Sequence, residues 1–437
     1  MLTTNGTVWW GALLCLGFCA SGCGSDAGGD QGQPGTGGGG GSGGAGTGGS
    51  GGTPSCVDTG EHPLPRGEAF AVHDSKRNRV VFFGGDVGVP QQCNPAPKPD
   101  GELWTYDVAC KTFKKVDAPG GPGPRARGMA VYDPEGDRMV IFGGRYRQAS
   151  SGPYTVYNEV WALALETLTW QQIATTGGGP SGRSSVAGAY NPLTKELVLF
   201  GGNSSTSGLS FTPLDDVWAL NLSTGAWREI VTTGQKPEPR LFHSATLDPA
   251  TGRLFAYAGG GTGAFQGPFM TDLWSLDTAS GAWTSEHDGA SGAPMGRIHT
   301  SLTWDAKAKR VLMFAGHDDG SVGNNNDAWA FDPASKQWQE LVPAEQVKTP
   351  APDFCLFPPD FTVPNLSAPD RRSAHVAVLD SAAGRWFVYG GKTDCGNIDD
   401  VWLFDLASNK WQREVQATIG EACSRGKYPS QCTTLCI

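Results

Sequence analysis

Six arginines, Arg66, Arg125, Arg183, Arg240, Arg297 and Arg372, each open the same series of residues. Eight residues after each stands Asp74, Asp133, Asn191, Asp248, Asp305 or Asp380. Eighteen after each begins a small-residue pair: Gly84-Gly85, Gly143-Gly144, Gly201-Gly202, Ala258-Gly259, Ala315-Gly316 and Gly390-Gly391. A Trp follows at 104, 161, 218, 274, 329 and 402, and nine residues beyond it comes Phe113, Trp170, Trp227, Trp283, Trp338 or Trp411. A unit this short cannot bury a core alone, so its copies must pack against one another. A chain of 437 residues would ordinarily suggest about three domains. Here it predicts one array of six units.

Each unit reads as four strands. A short strand follows the Arg (126–132, 241–247). The Asp or Asn then starts a tight turn, because its side chain can accept a backbone N–H two residues on. An apolar run leads into the small pair, as in Arg138-Met139-Val140-Ile141-Phe142. Continuous apolarity predicts burial on both faces. A third strand alternates around the first Trp (Trp161/Leu163, Trp218/Leu220), and a short turn leads to the strand carrying the second aromatic. The arginine start, glycine doublet, acidic-x-Trp and second Trp together resemble the kelch repeat. The resemblance covers residues 66 to about 415 and implies an all-β, six-bladed kelch-type β-propeller with four antiparallel strands per blade. Ala258 and Ala315 depart from the doublet. Residues 339–371 lengthen one connection between blades, and their segment 349–370 holds six prolines and no repeat marker, so it reads as an excursion loop.

Residues 1–22 carry no Asp, Glu, Lys or Arg and include an apolar run, as a signal peptide does. Ala20-Ser21-Gly22-Cys23 resembles the lipobox of bacterial lipoproteins, although that family prefers Leu where Ala20 stands and a basic residue near the start. The resemblance implies lipidation of Cys23. The stretch 24–54 has 17 Gly in 31 positions and reads as a flexible tether. Residues 55–415 form the expected propeller and 416–437 a Cys-rich tail. The localisation implied is the cell envelope, as an outer-membrane lipoprotein, with the membrane touched through the N-terminal lipid only. The alternative is a secreted or periplasmic protein.

A net charge of −10 without a basic stripe argues against nucleic acid as a partner. Only 17% of residues are charged against 64 Gly, which excludes a helical bundle. Beyond the signal and Cys23 eight cysteines remain, an even number in an exported chain, which predicts disulfides. Cys355 and Cys395 fall on one face and are the first expected pair. Cys423, Cys432 and Cys436 are expected to staple the tail to the propeller through Cys56, Cys93 or Cys110.

Most of the repeated residues read as structural. The tryptophans recur at fixed places and are expected to pack between blades. The acidic residue two before each first Trp (Glu102, Glu159, Asp216, Asp272, Asp327, Asp400) is expected to accept backbone N–H groups. The Asp/Asn and the Arg thirteen after each anchor, as in Asp133/Arg138 and Asp248/Arg253, flank one hairpin and suit a weak surface pair. In kelch propellers the anchor position lies near the channel mouth. There Arg66, Arg125, Arg183, Arg240, Arg297 and Arg372 would suit a carboxylate-bearing peptide or acidic sugar, or else be tied to a neighbouring blade's carboxylate. Loop lengths vary on one face only, which marks 86–102, 145–158, 203–215, 260–271, 317–326 and 341–371 as the expected binding face. No motif fixes a cofactor or metal. Copper would need His and Tyr ligands that the scattered histidines do not provide. Gly316-His317-Asp318-Asp319 and Asn324-Asn325-Asn326-Asp327 are oxygen-rich enough for calcium but read as solvated loop. No catalytic residue stands out. The leading reading is a binding module for a protein or glycan; the alternative is a periplasmic carbohydrate-active enzyme, either a galactose-oxidase-like oxidase or a sugar epimerase, with its site at the channel mouth.

Overall fold

The computed structural model describes residues 56–88, 97–318, 323–348, 362–394 and 396–419, with the backbone alone of two short strands at 90–91 and 94–95. The signal, Cys23, the tether, Cys93, Cys355, Cys395, Cys423, Cys432 and Cys436 lie outside the described residues.

The six units form six antiparallel sheets. Blade 1 pairs Phe70–Asp74, Arg79–Phe83, Leu103–Asp107 and Thr112–Val116 in sequence order. Blade 2 runs Ala126–Asp133, Arg138–Tyr146, Val160–Ala164 and Thr169–Gln172; blade 3 runs Ala187–Asn191, Glu196–Asn203, Pro213–Asn221 and Trp227–Glu229. Blade 4 is Ser244–Asp248, Arg253–Tyr257, Leu273–Asp277 and Trp283–His287; blade 5 is Ser301–Asp305, Arg310–His317, Asn324–Asp332 and Gln337–Val342. Blade 6 is Val376–Asp380, Arg385–Thr393, Gly396–Asp405 and Lys410–Val415. The first strands lie next to one another around a central channel, and that of blade 6 returns to that of blade 1. The ring is closed, as the repeats predict.

The core sits in the seams. Met129, Val140 and Phe142 of blade 2 pack with Val186, Leu197 and Trp227 of blade 3. Each of the other five seams has an equivalent cluster, including Val80 and Phe82 of blade 1 with Phe387 and Tyr389 of blade 6. Second strands are therefore apolar throughout, because both of their faces are covered. The second aromatic of each blade meets the aromatic before the small pair of the preceding blade. Trp227 lies 5.5 Å from Phe142, Trp283 4.9 Å from Phe200, Trp338 5.2 Å from Tyr257, Trp411 4.7 Å from Phe314 and Trp170 5.1 Å from Phe83. Phe113 on Tyr389, at 5.6 Å, closes the series.

Turn residues behave differently from expectation in burial and pairing. Asp133 caps its turn by accepting the N–H groups of Glu135 and Gly136, but it is buried, and Arg138 reaches it at 2.8 Å. Asp248 does not pair with Arg253, which turns instead to Glu286. Part of the long connection folds as a hairpin, Gln346–Val347 with Thr362–Val363. Glu345 holds it by accepting from Thr362 Oγ1 and Asn365 N, both at 2.8 Å, and from Arg371 Nε at 3.1 Å.

Cys56 bonds Cys110. Cys56 therefore does not staple the tail. The physical reason is local: residues 56–65 run along the outer strand of blade 1. There Glu61 accepts the N–H of Lys115 and the His62 ring packs 4.7 Å from Phe113, which brings Cys56 to the turn containing Cys110.

The second residue of each small pair has a φ between 95° and 111°, open only to glycine, whereas Ala258 and Ala315 occupy the first position at 60° and 56°. In blade 3, Gly202→Ala, at a φ of 104°, should therefore destabilise by about 2–3 kcal/mol, and Gly201→Ala, at a φ that Ala258 and Ala315 adopt but with its Cβ 2.8 Å from the Arg240 carbonyl, by about 1–2 kcal/mol. Equilibrium unfolding in urea checks the order; equal costs would refute the assignment.

Below the mouth the channel narrows to a cavity of about 140 Å³ whose lining includes His243 and His375. Burial, with the Arg240 charge second, pushes His243 down to about 3, and burial followed by Arg372 does the same for His375. The unfolded chain then binds more protons than the folded one below ~6.5. Stability should be full above that pH and fall with acidity, by about 1.4 kcal/mol per pH unit for each histidine. Urea midpoints from pH 7.5 to 4.5 should fall less steeply in a His243→Gln/His375→Gln double variant; parallel slopes would contradict this.

Candidate functional site

Each anchor arginine is buried to 1% exposure or less. Its Nη1 donates to the carbonyl of the first small residue of its own blade, as Arg183 does to Gly201 at 3.0 Å and Arg372 to Gly390 at 3.0 Å. Its remaining N–H groups meet the acidic residue of that same blade. Arg183 grips Asp216 at 2.6 and 2.8 Å, Arg240 grips Asp272 at 2.9 and 3.0 Å, and Arg297 grips Asp327 at 2.6 and 2.9 Å. Arg372 holds Asp400, Arg125 holds Glu159, and Arg66 divides between Asp100 and Glu102. The first Trp donates its indole N–H to the same carboxylate, at 2.6 Å for Trp274 on Asp272. The acid therefore accepts side-chain donors rather than the backbone N–H groups expected of it. Burial opposes ionisation of Asp272, and the Arg240 guanidinium outweighs it and holds the carboxyl below its usual range.

None of the six arginines lines the mouth. Two residues after each comes a residue that does line the channel: Glu68, Arg127, Ser185, Phe242, His299 and Ala374 all border the narrow cavity, and Glu68, Arg127 and His299 reach the mouth above it. All six have φ between 54° and 63°. Backbone bonds link them around the ring, Arg127 N to Glu68 O at 3.2 Å, Ser185 N to Arg127 O at 2.5 Å, His299 N to Phe242 O at 2.9 Å, Ala374 N to His299 O at 2.9 Å and Glu68 N to Ala374 O at 2.8 Å. Such left-handed conformations are uncommon for residues other than glycine and persist where surrounding bonds impose them. A second ring is made by the residue directly after each small pair: Asp86, Arg145, Asn203, Gly260, His317 and Lys392.

Above these rings opens a cavity of about 850 Å³. Its floor holds Glu68, Asp86, Arg127, Arg145, His299, His317 and Lys392, and its walls come from the long loops, with Tyr154, Leu209 and Phe265 among them. The charged residues lie on the arc of blades 6, 1 and 2. Glu68 accepts Arg127 Nε at 2.6 Å and Nη2 at 2.8 Å, and Lys392 Nζ at 2.7 Å. Burial alone would raise the Glu68 carboxyl, but Arg127 and Lys392 outweigh it and hold it well below the usual range. Asp86 takes Lys392 at 3.3 Å. On the opposite arc Phe242 stacks 4.9 Å from Phe265 and 4.2 Å from His299. Burial and the neighbouring Arg127 keep His299 well below its ordinary pKa, so it is neutral near pH 7. Arg145 and Arg147 stand over the Tyr154 ring at 4.0 and 4.3 Å.

The described oxygen-rich residues read as solvated loop are buried instead and bond largely to other segments, Asn324 Nδ2 to Asp394 at 3.2 Å and Asn326 Nδ2 to the carbonyl of Pro369 at 3.0 Å. Asn325 Nδ2 donates to Asp318 at 2.7 Å and Asp327 is held by Arg297. Among the described residues no group of three or more His, Cys, Asp or Glu is placed to hold a metal ion.

Sequence reasoning selected the anchor arginines and missed the mouth residues two places further on. The available signal was positional: in a closed ring of copies, the same two offsets carry Glu, Arg, Ser, Phe, His and Ala in one ring and Asp, Arg, Asn, Gly, His and Lys in the other.

The sequence matches the KLHDC2/KLHL20/DRC7 Kelch-repeats domain family over residues 53–259 and 192–357. It is similar to Acyl-CoA-binding domain-containing protein 5 of Arabidopsis thaliana, 29% identical over 260 residues, covering 59% of this chain and 36% of the relative. Kelch domain-containing protein 1 of Homo sapiens is 29% identical over 187 residues, 41% of this chain and 38% of the relative. Host cell factor 1 of Rattus norvegicus is 28% identical over 296 residues, 62% of this chain and 13% of the relative. The matched region thus spans well under half the length of each of these relatives. With six blades closed by the same arginine, doublet and tryptophan positions, the chain belongs to the kelch-repeat family.

Proposed function

We propose that this chain is a non-catalytic binding module that takes a segment of a protein partner into the mouth of its channel. The cavity of about 850 Å³ carries the reading. It is deep enough for several side chains, walled by the variable loops, charged along one arc and aromatic along the other. Leu209 is 96% exposed and Phe265 42% exposed at its rim, where apolar side chains are unfavourable in water unless a ligand covers them. The apolar rim favours a protein segment over a glycan.

The N-terminal residues support an exported form held at the cell envelope, with Cys23 acylated and 24–54 as tether, and outer-membrane placement follows by resemblance to bacterial lipoproteins. In that case wild-type protein should incorporate a fatty-acid label and sediment with membranes, and Cys23→Ser should do neither. Label retained by the variant would overturn the anchor.

Peptides selected on the purified protein from a displayed random library test the mouth. Tyr154→Ala, Leu209→Ala and Phe265→Ala should each weaken their binding about tenfold or more. Lys307→Ala and Ser335→Ala, on turns of the opposite face, should leave it unchanged. The reverse pattern would place binding elsewhere.

A further inference from the structure

Of the four cations lining the mouth, two are already answered. Arg127 and Lys392 surround Glu68, whose two oxygens accept three charged hydrogen bonds. Asp86 is also occupied: Oδ1 accepts Gly88 N at 2.9 Å and Lys98 N at 2.7 Å, and Oδ2 faces Lys392. No carboxylate lining the cavity remains for Arg145 or Arg147. Among the described residues the Arg145 guanidinium makes no hydrogen bond or ion pair, although the residue is only 7% exposed. Its contact is the face of Tyr154, 4.0 Å away, with Arg147 over the same ring at 4.3 Å. Arg147 donates Nη1 to the carbonyl of Gly152 at 3.1 Å, which is neutral, and its buried Nε has no partner.

Stacking occupies a guanidinium's face and leaves its edge, with five N–H donors, available in the ring plane. A buried cation without an anion is unfavourable and binds an incoming anion strongly for that reason. Burial and the nearby Arg127 charge push Arg145 down to about 10, still well above neutrality, so it remains charged. The lining holds four cations against two carboxylates, a surplus of two positive charges in a protein of net charge −10. One carboxylate would answer half of that surplus.

Resting on the reading that the mouth binds a partner segment, we propose that Arg145 and Arg147, both held against the Tyr154 ring, form a subsite for a doubly charged oxyanion, a phosphomonoester. Its three terminal oxygens accept from more than one guanidinium edge, which a single carboxylate matches less well. Phe265, backed by Phe242, then takes an apolar side chain of the same segment. Tyr154 is a positioning residue: it bridges loops, donating its backbone N–H to Thr206 O at 2.7 Å, and it fixes both guanidiniums.

The test is calorimetric titration of the full mature protein at pH 7.5 with terminally blocked peptides that differ at one residue beside a Phe. The residue is phosphoserine, O-sulfoserine, which has a similar shape but one charge, or Asp. Inorganic phosphate alone is the fourth probe. The phosphoserine peptide should bind about tenfold or more tighter than the sulfoserine and Asp peptides. It should also exceed inorganic phosphate, which separates a peptide-borne group from a free ion. Arg145→Gln should bring the phosphoserine to sulfoserine ratio close to one, Arg145→Lys should restore part of it, and Tyr154→Leu should reduce it more than Tyr154→Phe. Melting curves confirm that each variant is folded.

Equal affinity for phosphoserine and sulfoserine peptides, a ratio unchanged in Arg145→Gln, tighter binding of free phosphate, or no binding of the phosphoserine peptide would each overturn the proposal. If library-selected peptides still depend on Tyr154 and Phe265 in that event, the mouth remains the binding site and only its ligand chemistry is wrong. If they do not, both readings fall.

Discussion

One arginine acts on two blades at every boundary of this propeller. Its guanidinium binds the first small residue and the acid of its own blade. Its backbone carbonyl accepts the N–H of the second small residue of the blade before it, as Arg240 does from Gly202 at 2.9 Å and Arg66 from Gly391 at 2.9 Å. The last of these bonds joins blade 6 to blade 1. Among the described residues no strand is exchanged to close the ring, and the closing seam uses the same contact as the five internal ones. Breaking one such buried pair by removing a partner characteristically costs about 3–5 kcal/mol, because the other charge is left uncompensated. The glycine doublet follows from this geometry. A Cβ at Gly84 would lie 2.5 Å from the Arg125 carbonyl that makes this bond, and a Cβ at Gly85 would lie 2.8 Å from the carbonyl of Gly67 in its own blade, so the close backbone approach leaves little room for side chains.

The same contact explains where the mouth is. Two residues past the arginine the chain bends through a left-handed conformation and bonds to its counterpart in an adjacent blade. Six side chains are thereby presented at one level around the channel whatever their identity. Backbone bonds hold the position and leave the side chain unconstrained, so Glu68, Arg127, Phe242 and Ala374 occupy equivalent places. The propeller is a frame in which the channel lining can change without altering the parts that close it.

That division decides what was legible in the sequence. Repetition exposes what every blade needs, so the strands, the seam aromatics and the closed ring were readable from offsets alone. The pairing of Trp227 with Phe142 follows once two aromatics per copy must share one seam. Channel-lining positions are those that break the repetition, and they look like noise until the ring aligns them. Arg66 and its equivalents drew attention because they are charged and invariant among the copies, but invariance here reflects a bond that every blade makes. Charge pairing was also hidden, since Arg127 and Glu68 are 59 residues apart and meet only because adjacent blades do. Cysteine spacing left several connectivities open, and only the path of residues 56–65 along blade 1 selects Cys110.

That path has a consequence for how the protein is held. The chain joins the propeller at the turn between the third and fourth strands of blade 1, on the side away from the channel opening, and the Cys56–Cys110 bond fixes it there. The disulfide and the mouth cavity thus lie at opposite ends of the ring. A force applied at Cys56 is transmitted first to the outer turn of blade 1, leaving the ring of buried arginines outside the initial line of load.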